Sequence, residues 1–160
     1  MKSLFKRCDK LAFYGVPQED GTVIFKRMTG FTEISTSKNP KEYKRQYVDE
    51  EFEKSDVVGY SPQIAYSFDR FEGNDVHDDI VKITDDELLG SKAVRTIVMV
   101  DMKGDETSKK AISRDFSVIP DSEGGETDAY TYSGSFKANS VKTSGTATST
   151  DDFETIVFGM

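Results

Sequence analysis

Few residues of this chain are of the types that carry out chemistry. His77 is its one histidine and Cys8 its one cysteine among 160 residues. A Ser-His-Asp triad would have to use His77, but the sequence has no Gly-x-Ser-x-Gly elbow to present the serine. We therefore expect His77 to be a surface residue on the flank of a helix. The sequence predicts no catalytic residue and indicates that the protein is not an enzyme.

Metal and cofactor sites are also not predicted. Zinc needs several His or Cys ligands, and the chain has one of each. A dense acidic group could hold calcium in principle, but its spacing does not fit the EF-hand pattern, so we expect a solvated helix face. This group consists of Asp75, Asp78, Asp79, Asp85, Asp86 and Glu87. The glycines form neither a P-loop nor a dinucleotide fingerprint. Glycosidase carboxylates usually lie in Trp-lined grooves, and the chain has no Trp.

The composition is that of a soluble globular domain, with 36% hydrophobic and 31% charged residues. Its net charge of −8 argues against a nucleic-acid groove, which needs clustered Lys and Arg. An acidic surface can instead maintain solubility or line a passage that does not retain DNA. The N-terminus lacks the apolar core of a signal peptide, and no apolar run reaches the ~20 residues of a membrane helix. A non-exported protein without membrane contact is expected.

Alternation of apolar and polar residues predicts a mainly β fold. Strands are expected at residues 22–28, 63–69, 94–102, 111–119, 129–138 and 153–158, and residues 30–36 are a further candidate after a kink at Gly30. Turn-rich residues 103–106 and 121–126 join three of them into an antiparallel meander, in which Tyr130, Tyr132 and Phe136 share a face.

One helix is predicted over residues 74–89. Val76, Ile80 and Ile83 lie on one stripe, and Asn74 or Asp75 can cap the first turn. A second capping-box spacing, from Thr84 to Glu87, indicates that the region could be two short helical pieces. Together these patterns predict a single domain over residues 1–160, a β-sandwich or barrel of antiparallel strands with one flanking α-helix.

Two segments lack a core pattern. Residues 1–20 are expected to form an N-terminal arm, either frayed or ordered against a neighbouring molecule. Residues 41–55, KEYKRQYVDEEFEKS, are basic at the front and acidic at the back. A short amphipathic helix or a long charged hairpin outside the core is possible here. Such a bipolar segment could pair head to tail with another copy of the chain.

The order of these elements resembles that of the major tail proteins, or tail-tube proteins, of long-tailed bacteriophages and prophages of Gram-positive hosts. The wording is similar in DVVGYSPQIAYSFD at residues 56–69, in GNDVHDDI at 73–80 and in ANSVKTSGT at 138–146. The likeness extends from about residue 13 to residue 158. It rests on pattern, since that family has no catalytic signature to match.

The resemblance implies a subunit of the virion tail, made and assembled in the bacterial host cytoplasm. In that family, hexameric rings stack into a tube through which DNA passes without specific binding. The implied partners are further copies of the chain, the tape-measure protein, the tail terminator and the baseplate or distal tail proteins. The implied bridging segments are residues 1–20, 39–55 and 138–160. The candidate interface residues are Lys41, Tyr43, Lys44, Arg45, Tyr47, Asp49, Glu50, Glu51 and Phe52.

Two alternatives stay open. The same fold could form the inner tube of a contractile tail, of a phage-tail-like bacteriocin or of a related secretion tube. A β-sandwich module that binds a carbohydrate or a peptide is the alternative from another class. It predicts a stable monomer with an exposed aromatic patch, for which Tyr43, Tyr47 and Phe52 are the candidates.

Overall fold

A computed structural model describes residues 3–104 and 106–160. The strands are β1 (Lys10–Pro17), β2 (Val23–Arg27), β3 (Phe31–Ser37), β4 (Pro40–Arg45), β5 (Lys54–Tyr60), β6 (Gln63–Asp69), β7 (Val94–Asp101), β8 (Lys109–Gly124), β9 (Thr131–Ala138), β10 (Thr143–Thr148) and β11 (Thr155–Gly159). Helix α1 covers Asp75–Asp85, and short 3-10 helices cover Arg7–Asp9 and Gly90–Ala93. The predicted mainly antiparallel β fold with one flanking helix is confirmed.

Nine strands form one antiparallel sheet in the order β10-β11-β2-β1-β7-β8-β9-β6-β3. An additional pairing joins β10 back to β8, and this closes β1, β2, β11, β10, β8 and β7 into a six-stranded barrel. Strands β9, β6 and β3 continue the sheet beyond the barrel. Strands β4 and β5 form a separate hairpin.

The length of β8 lets one strand serve both parts of the sheet. Residues 109–113 pair with β10, and residues 116–124 pair with β9 on the same edge. The opposite edge pairs with β7. The predicted meander β7-β8-β9 is therefore confirmed, and it connects the barrel to the open sheet.

Two apolar cores lie on opposite faces of this sheet. The barrel interior contains Phe13, Val98, Val100, Ala111, Ala147 and Ile156. The other face packs against α1 and includes Tyr14, Ile64, Tyr66, Phe68, Val76, Ile80, Ile83, Ile97, Phe116, Tyr132 and Phe136. Successive residues of a strand point to opposite faces, so a strand between two cores is buried throughout.

The predicted N-terminal arm over residues 1–20 is wrong for its second half. Residues 10–17 form β1, which pairs with both β2 and β7 and is buried from Ala12 to Val16. Its apolar residues showed no alternation because both faces of the strand are covered. Among the described residues, 3–9 precede the sheet, and Leu4 and Phe5 there are exposed. Met1 and Lys2 lie outside the described residues.

Helix α1 confirms the capped helical prediction and shortens it. The Asn74 side chain accepts hydrogen bonds from the backbone N–H groups of Val76 and His77, each 3.1 Å long. Thr84 lies within α1 rather than beginning a second α-helix, and its hydroxyl donates to the Ile80 carbonyl oxygen one turn earlier. Within the described ranges, no helix is long and apolar enough to cross a bilayer.

One of the two predicted turns begins later in the chain than expected. β8 continues to Gly124 through a bulge near Pro120, so the turn expected at residues 121–126 begins later in the chain. Tyr130 consequently precedes β9 and is exposed, whereas Tyr132 and Phe136 are buried. The turn expected at 103–106 includes position 105, which lies outside the described residues.

Candidate functional site

The segment predicted as a helix or a hairpin is a hairpin outside both cores. β4 and β5 pair from Pro40↔Tyr60 to Arg45↔Lys54, with one bulge near Lys41. Residues 46–53 form the loop that joins the strands, and we name this segment the tip loop. No residue of the hairpin is buried. The alternative of a charged hairpin is confirmed.

The base of the hairpin is fixed to the sheet by backbone contacts. Asn39 has a positive φ of 46°, a conformation that asparagine tolerates better than most residues. Its side-chain amide donates to the Ser61 carbonyl oxygen at 3.0 Å. The Ser61 N–H lies 3.2 Å from the Lys38 carbonyl oxygen. These hydrogen bonds join the two ends of the hairpin to each other, between β3 and β6.

Arg45 organises the far end of the hairpin. Its Nη2 lies 2.5 Å from the Asp56 carboxylate, and its Nε donates to the Tyr47 hydroxyl at 3.1 Å. The hydrogen bond to the Tyr47 hydroxyl, followed by the contact with Asp56, raises the pKa of the Arg45 guanidinium. Lys54 pairs with Glu50 at 3.0 Å. Arg45 and Glu50 are therefore paired within the hairpin. Fewer of its charged side chains remain to pair with another copy of the chain.

The hairpin also exposes an unusual amount of apolar surface. Seven of the eighteen exposed large hydrophobic side chains among the described residues lie on it: Tyr43, Tyr47, Val48, Phe52, Val57, Val58 and Tyr60. Val48 and Phe52, in the tip loop, are 107% and 77% exposed. Exposed apolar side chains concentrated on one element commonly mark a protein–protein contact. Sequence reasoning named three of the seven and missed Val48, Val57, Val58 and Tyr60.

All nine predicted interface residues lie on this hairpin. Lys41, Tyr43, Lys44 and Arg45 belong to β4, and Tyr47, Asp49, Glu50, Glu51 and Phe52 belong to the tip loop. The missed valines gave a signal in the sequence, since Val57 and Val58 precede a well-patterned strand. They fall in neither predicted element, because the exposed segment is expected to end at residue 55 and the next strand to begin at residue 63.

The one histidine and the one cysteine lie on different elements. The prediction that His77 lies at the surface is wrong, because its side chain is fully buried between α1 and the sheet. Both ring nitrogens are engaged with backbone groups, those of Thr29 and Phe71. Burial lowers the pKa of His77. Cys8 is exposed and precedes β1, within the N-terminal 3-10 helix.

Three of the six acidic residues predicted as a solvated helix face form ion pairs. Asp79 contacts both Arg95, at 2.8 Å, and the Tyr14 hydroxyl, at 2.5 Å. Asp75 pairs with Lys26, and Asp78 lies 3.9 Å from Arg70. Across residues 3–104 and 106–160, no three His, Cys, Asp or Glu side chains converge as metal ligands would. These carboxylates attach the helix to the strands around it.

Comparison with known proteins adds little. No protein-family model matches the chain, and no curated protein matches it. One solved structure with a similar course of the chain is the "Cryo-EM structure of the anti-feeding prophage (AFP) baseplate, 6-fold symmetrised". The TM-score is 0.48 and the identity 6%, over 90% of this chain and 97% of that one. A likeness this distant carries no argument about function.

Proposed function

We propose that the protein is a structural subunit that assembles with copies of itself through the β4–β5 hairpin. The observation that carries the proposal is the hairpin's exposed apolar surface, which extends from Tyr43 on β4 to Tyr60 on β5. Neither core of the monomer uses this surface. Burying it against another molecule would remove apolar area from water at roughly 25 cal/mol per Å².

The open sheet gives a second reason to expect association. β3 ends the sheet order, so its outer edge has no partner strand among the described residues. Free monomers protect such edges, whereas assemblies use them for contacts. A contact between two different surfaces of identical subunits closes into rings or extends as a filament.

In its finer form, the proposal is a subunit of stacked hexameric rings that form a phage tail tube, the conduit for DNA ejection. The sequence resemblance at residues 56–69, 73–80 and 138–146 supports this form. The net charge of −8 suits a bore that repels DNA phosphates. Tape-measure, terminator and baseplate or distal tail proteins would then be partners, in a virion without membrane contact.

The proposal includes no catalytic role and no cofactor. His77, the residue on which acid–base catalysis would depend, is buried with both ring nitrogens bound to backbone groups. On α1, Asp75, Asp78 and Asp79 each lie near a Lys or Arg side chain.

The inner tube of a contractile tail would use the same surface, and binding to a sheath protein would distinguish it. A carbohydrate-binding module is less well supported by the hairpin. The Arg45 guanidinium lies 4.9 Å from the ring centre of Tyr43 and 5.7 Å from that of Tyr47, so it covers a face of each ring that a sugar would need.

The test is assembly of the purified protein at high concentration, followed by negative-stain microscopy and sedimentation velocity. A matched variant replaces residues 41–59 with a short Gly-Ser linker, which the closed base at Asn39 and Ser61 permits. We expect rings or tubes from the natural chain and a folded monomer from the variant. A natural chain that stays monomeric at every concentration would overturn the proposal.

A further inference from the structure

A cleft of about 440 Å³ lies where the N-terminal segment, β3 and the barrel meet. Its floor is apolar, with Ile34, Ile64, Met99, Ile112 and Phe116 among its lining residues. The charge of its lining is opposite in sign to the net charge of the protein. The six charged residues of the cleft are all cations: Lys6, Arg7, Lys10, Lys38, Arg114 and Lys142.

These cations have no carboxylate partners within the described parts of the chain. None of the six lies within 4.0 Å of an Asp or Glu oxygen, although seven other Lys and Arg residues do. Arg7 donates instead to the carbonyl oxygens of Lys10 and Ile34. The Nε of Arg114 is buried and has no hydrogen-bond partner among the same residues. A buried donor of this kind is costly unless an acceptor is supplied.

The tip loop has the complementary chemistry. Residues 46–53 contain four carboxylates and no cation. Glu50 pairs with Lys54, whereas Asp49, Glu51 and Glu53 have no cation within 4.0 Å among the described residues. The two most exposed apolar side chains of the loop, Val48 and Phe52, flank these acids in sequence. The loop can therefore offer apolar groups to the floor and carboxylates to the rim.

The length of the hairpin separates the tip loop from the part of the cleft that adjoins the hairpin base. Lys38 and Pro62, which adjoin the base of the hairpin, line the cleft. Each strand of the hairpin is at least six residues long. At ~3.3 Å per residue the tip loop lies roughly 20 Å from that base. The paired strands would have to come apart for the loop to fold back onto that part of the cleft, which favours contact of the loop with another molecule.

We infer that the tip loop of one copy inserts into the basic cleft of the next copy, with Phe52 or Val48 on the floor and carboxylates against the rim. The inference rests on the proposed self-assembly and names the two surfaces that meet. The contact is heterologous, so each subunit gives a loop and receives one. Opposed charges at such a contact select the partner surface and speed the encounter.

Two charge reversals test the pairing. A cleft variant carries Lys10→Glu and Lys142→Glu, and a loop variant carries Asp49→Lys and Glu51→Lys. All four positions are exposed, so we expect the folded monomer to survive both changes. Matched controls reverse exposed charges elsewhere, with Lys92→Glu and Lys137→Glu for the cleft and Glu19→Lys and Asp128→Lys for the loop.

Each variant alone should need at least roughly tenfold more protein than the natural chain to assemble. The two variants mixed in equal amounts should assemble at a lower concentration than either variant alone, because the unchanged loop then finds an unchanged cleft and the new loop lysines meet the new cleft glutamates. Both controls should behave like the natural chain. Thermal unfolding of each variant establishes that the monomer is intact.

The outcomes separate this inference from the proposed function. If the natural chain never assembles, the proposed function fails first. If the natural chain assembles and the mixture does not recover, the loop does not occupy the cleft. Assembly lost in the cleft variant and kept in the loop variant would also overturn the inference, and would indicate another acidic occupant.

Discussion

The imidazole Nε2 of His77 lies 2.7 Å from the carbonyl oxygen of Thr29. Nδ1 accepts a hydrogen bond from the Phe71 backbone N–H at 3.1 Å, so the neutral ring carries its proton on Nε2 and donates to Thr29. The ring also stacks on Phe68 with its centre 4.4 Å away. One side chain thus joins the start of α1 to the turn before β3 and to the end of β6.

His77 should make the stability of the protein depend on pH. Burial lowers its pKa below the ordinary 6.5, so the unfolded chain binds the proton more readily than the folded one. The contribution is complete above about pH 6.5 and is lost as the pH falls toward the folded value. We expect His77→Gln, which keeps a donor and an acceptor, to cost about 1–3 kcal/mol at pH 7.5.

Urea unfolding of both proteins between pH 7.5 and 4.5 provides the measurement. The difference in free energy of unfolding should shrink as the pH falls, while titration of the carboxylates affects both proteins alike. A difference that stays constant over this range would show that His77 does not titrate on unfolding.

Asp79 should matter far more than its neighbour Asp78. Its side chain is 10% exposed, and it accepts from Arg95 and from the Tyr14 hydroxyl. Asp79→Asn would leave the Arg95 guanidinium, 14% exposed, without its counter-charge, at a cost of about 3 kcal/mol. Asp78→Asn, half exposed and 3.9 Å from Arg70, should cost under ~0.5 kcal/mol.

Chemical denaturation of the two variants at pH 7 makes the comparison, because they change the same group on the same helix. Equal losses would indicate that helix charge, rather than the contact with Arg95, sets the cost. Burial, and then the nearby Asp79 charge, raise the pKa of Tyr14. Loss of that carboxylate should therefore lower the pH at which Tyr14 ionises.

Local pattern was enough to predict the elements that have one buried face. β6 alternates Ile64, Tyr66 and Phe68, and α1 carries its apolar residues on a helical stripe, so both were predicted correctly. β1 lies between two cores and has no alternation, so the same reasoning missed it. Closure of the barrel by β8 and β10 depends on pairs from Ser113↔Thr143 to Lys109↔Ala147, which lie 30 to 38 positions apart and which no local pattern specifies.

The candidate site was predicted in part for the same reason. A charged stretch between two strands indicates an exposed segment, and the hairpin is one. The cleft was not predicted, because its cations come from the N-terminal segment, β1, the residue after β3, β8 and the loop before β10. Lys6 and Lys142 line the same cleft only in the folded chain. Such a site can be found only from the folded chain.

Gly134 should be intolerant of even one methyl group. It lies in β9 between Tyr66 of β6 and Pro120 of β8, and a Cβ there would lie 2.5 Å from the Ile119 carbonyl oxygen. The backbone oxygen cannot move without breaking the ladder, so Gly134→Ala should cost about 1–3 kcal/mol. Gly59→Ala is the matched control, since no heavy atom lies within 4 Å of that Cβ.

Urea titrations of Gly134→Ala and Gly59→Ala at one pH give the two costs. The Gly59 variant should unfold within ~0.5 kcal/mol of the natural protein. A similar loss at both positions would mean that the close approach at Gly134 relaxes freely.

Tyr47 should stabilise the conformation of the tip loop without contributing to the two apolar cores. Its ring lies 5.7 Å from the Arg45 guanidinium and 5.4 Å from the Lys54 ammonium, and its hydroxyl accepts from Arg45. Contacts of a cation with a ring stabilise by about 0.5–1 kcal/mol at exposed sites. We expect Tyr47→Ala to leave the melting temperature unchanged, because the hairpin packs on neither core.

The same substitution should loosen residues 46–53. Limited proteolysis should cut Tyr47→Ala in the tip loop several-fold faster than the natural chain, since cleavage follows the population of open loop. Tyr47→Phe keeps the ring beneath both cations and loses only the hydroxyl contact, so it should be cut at an intermediate rate. If a preformed loop is what enters the cleft of the next copy, assembly should weaken in that order too, because an ordered loop pays less entropy on binding. Equal cleavage of all three proteins would show that Tyr47 does not order the loop.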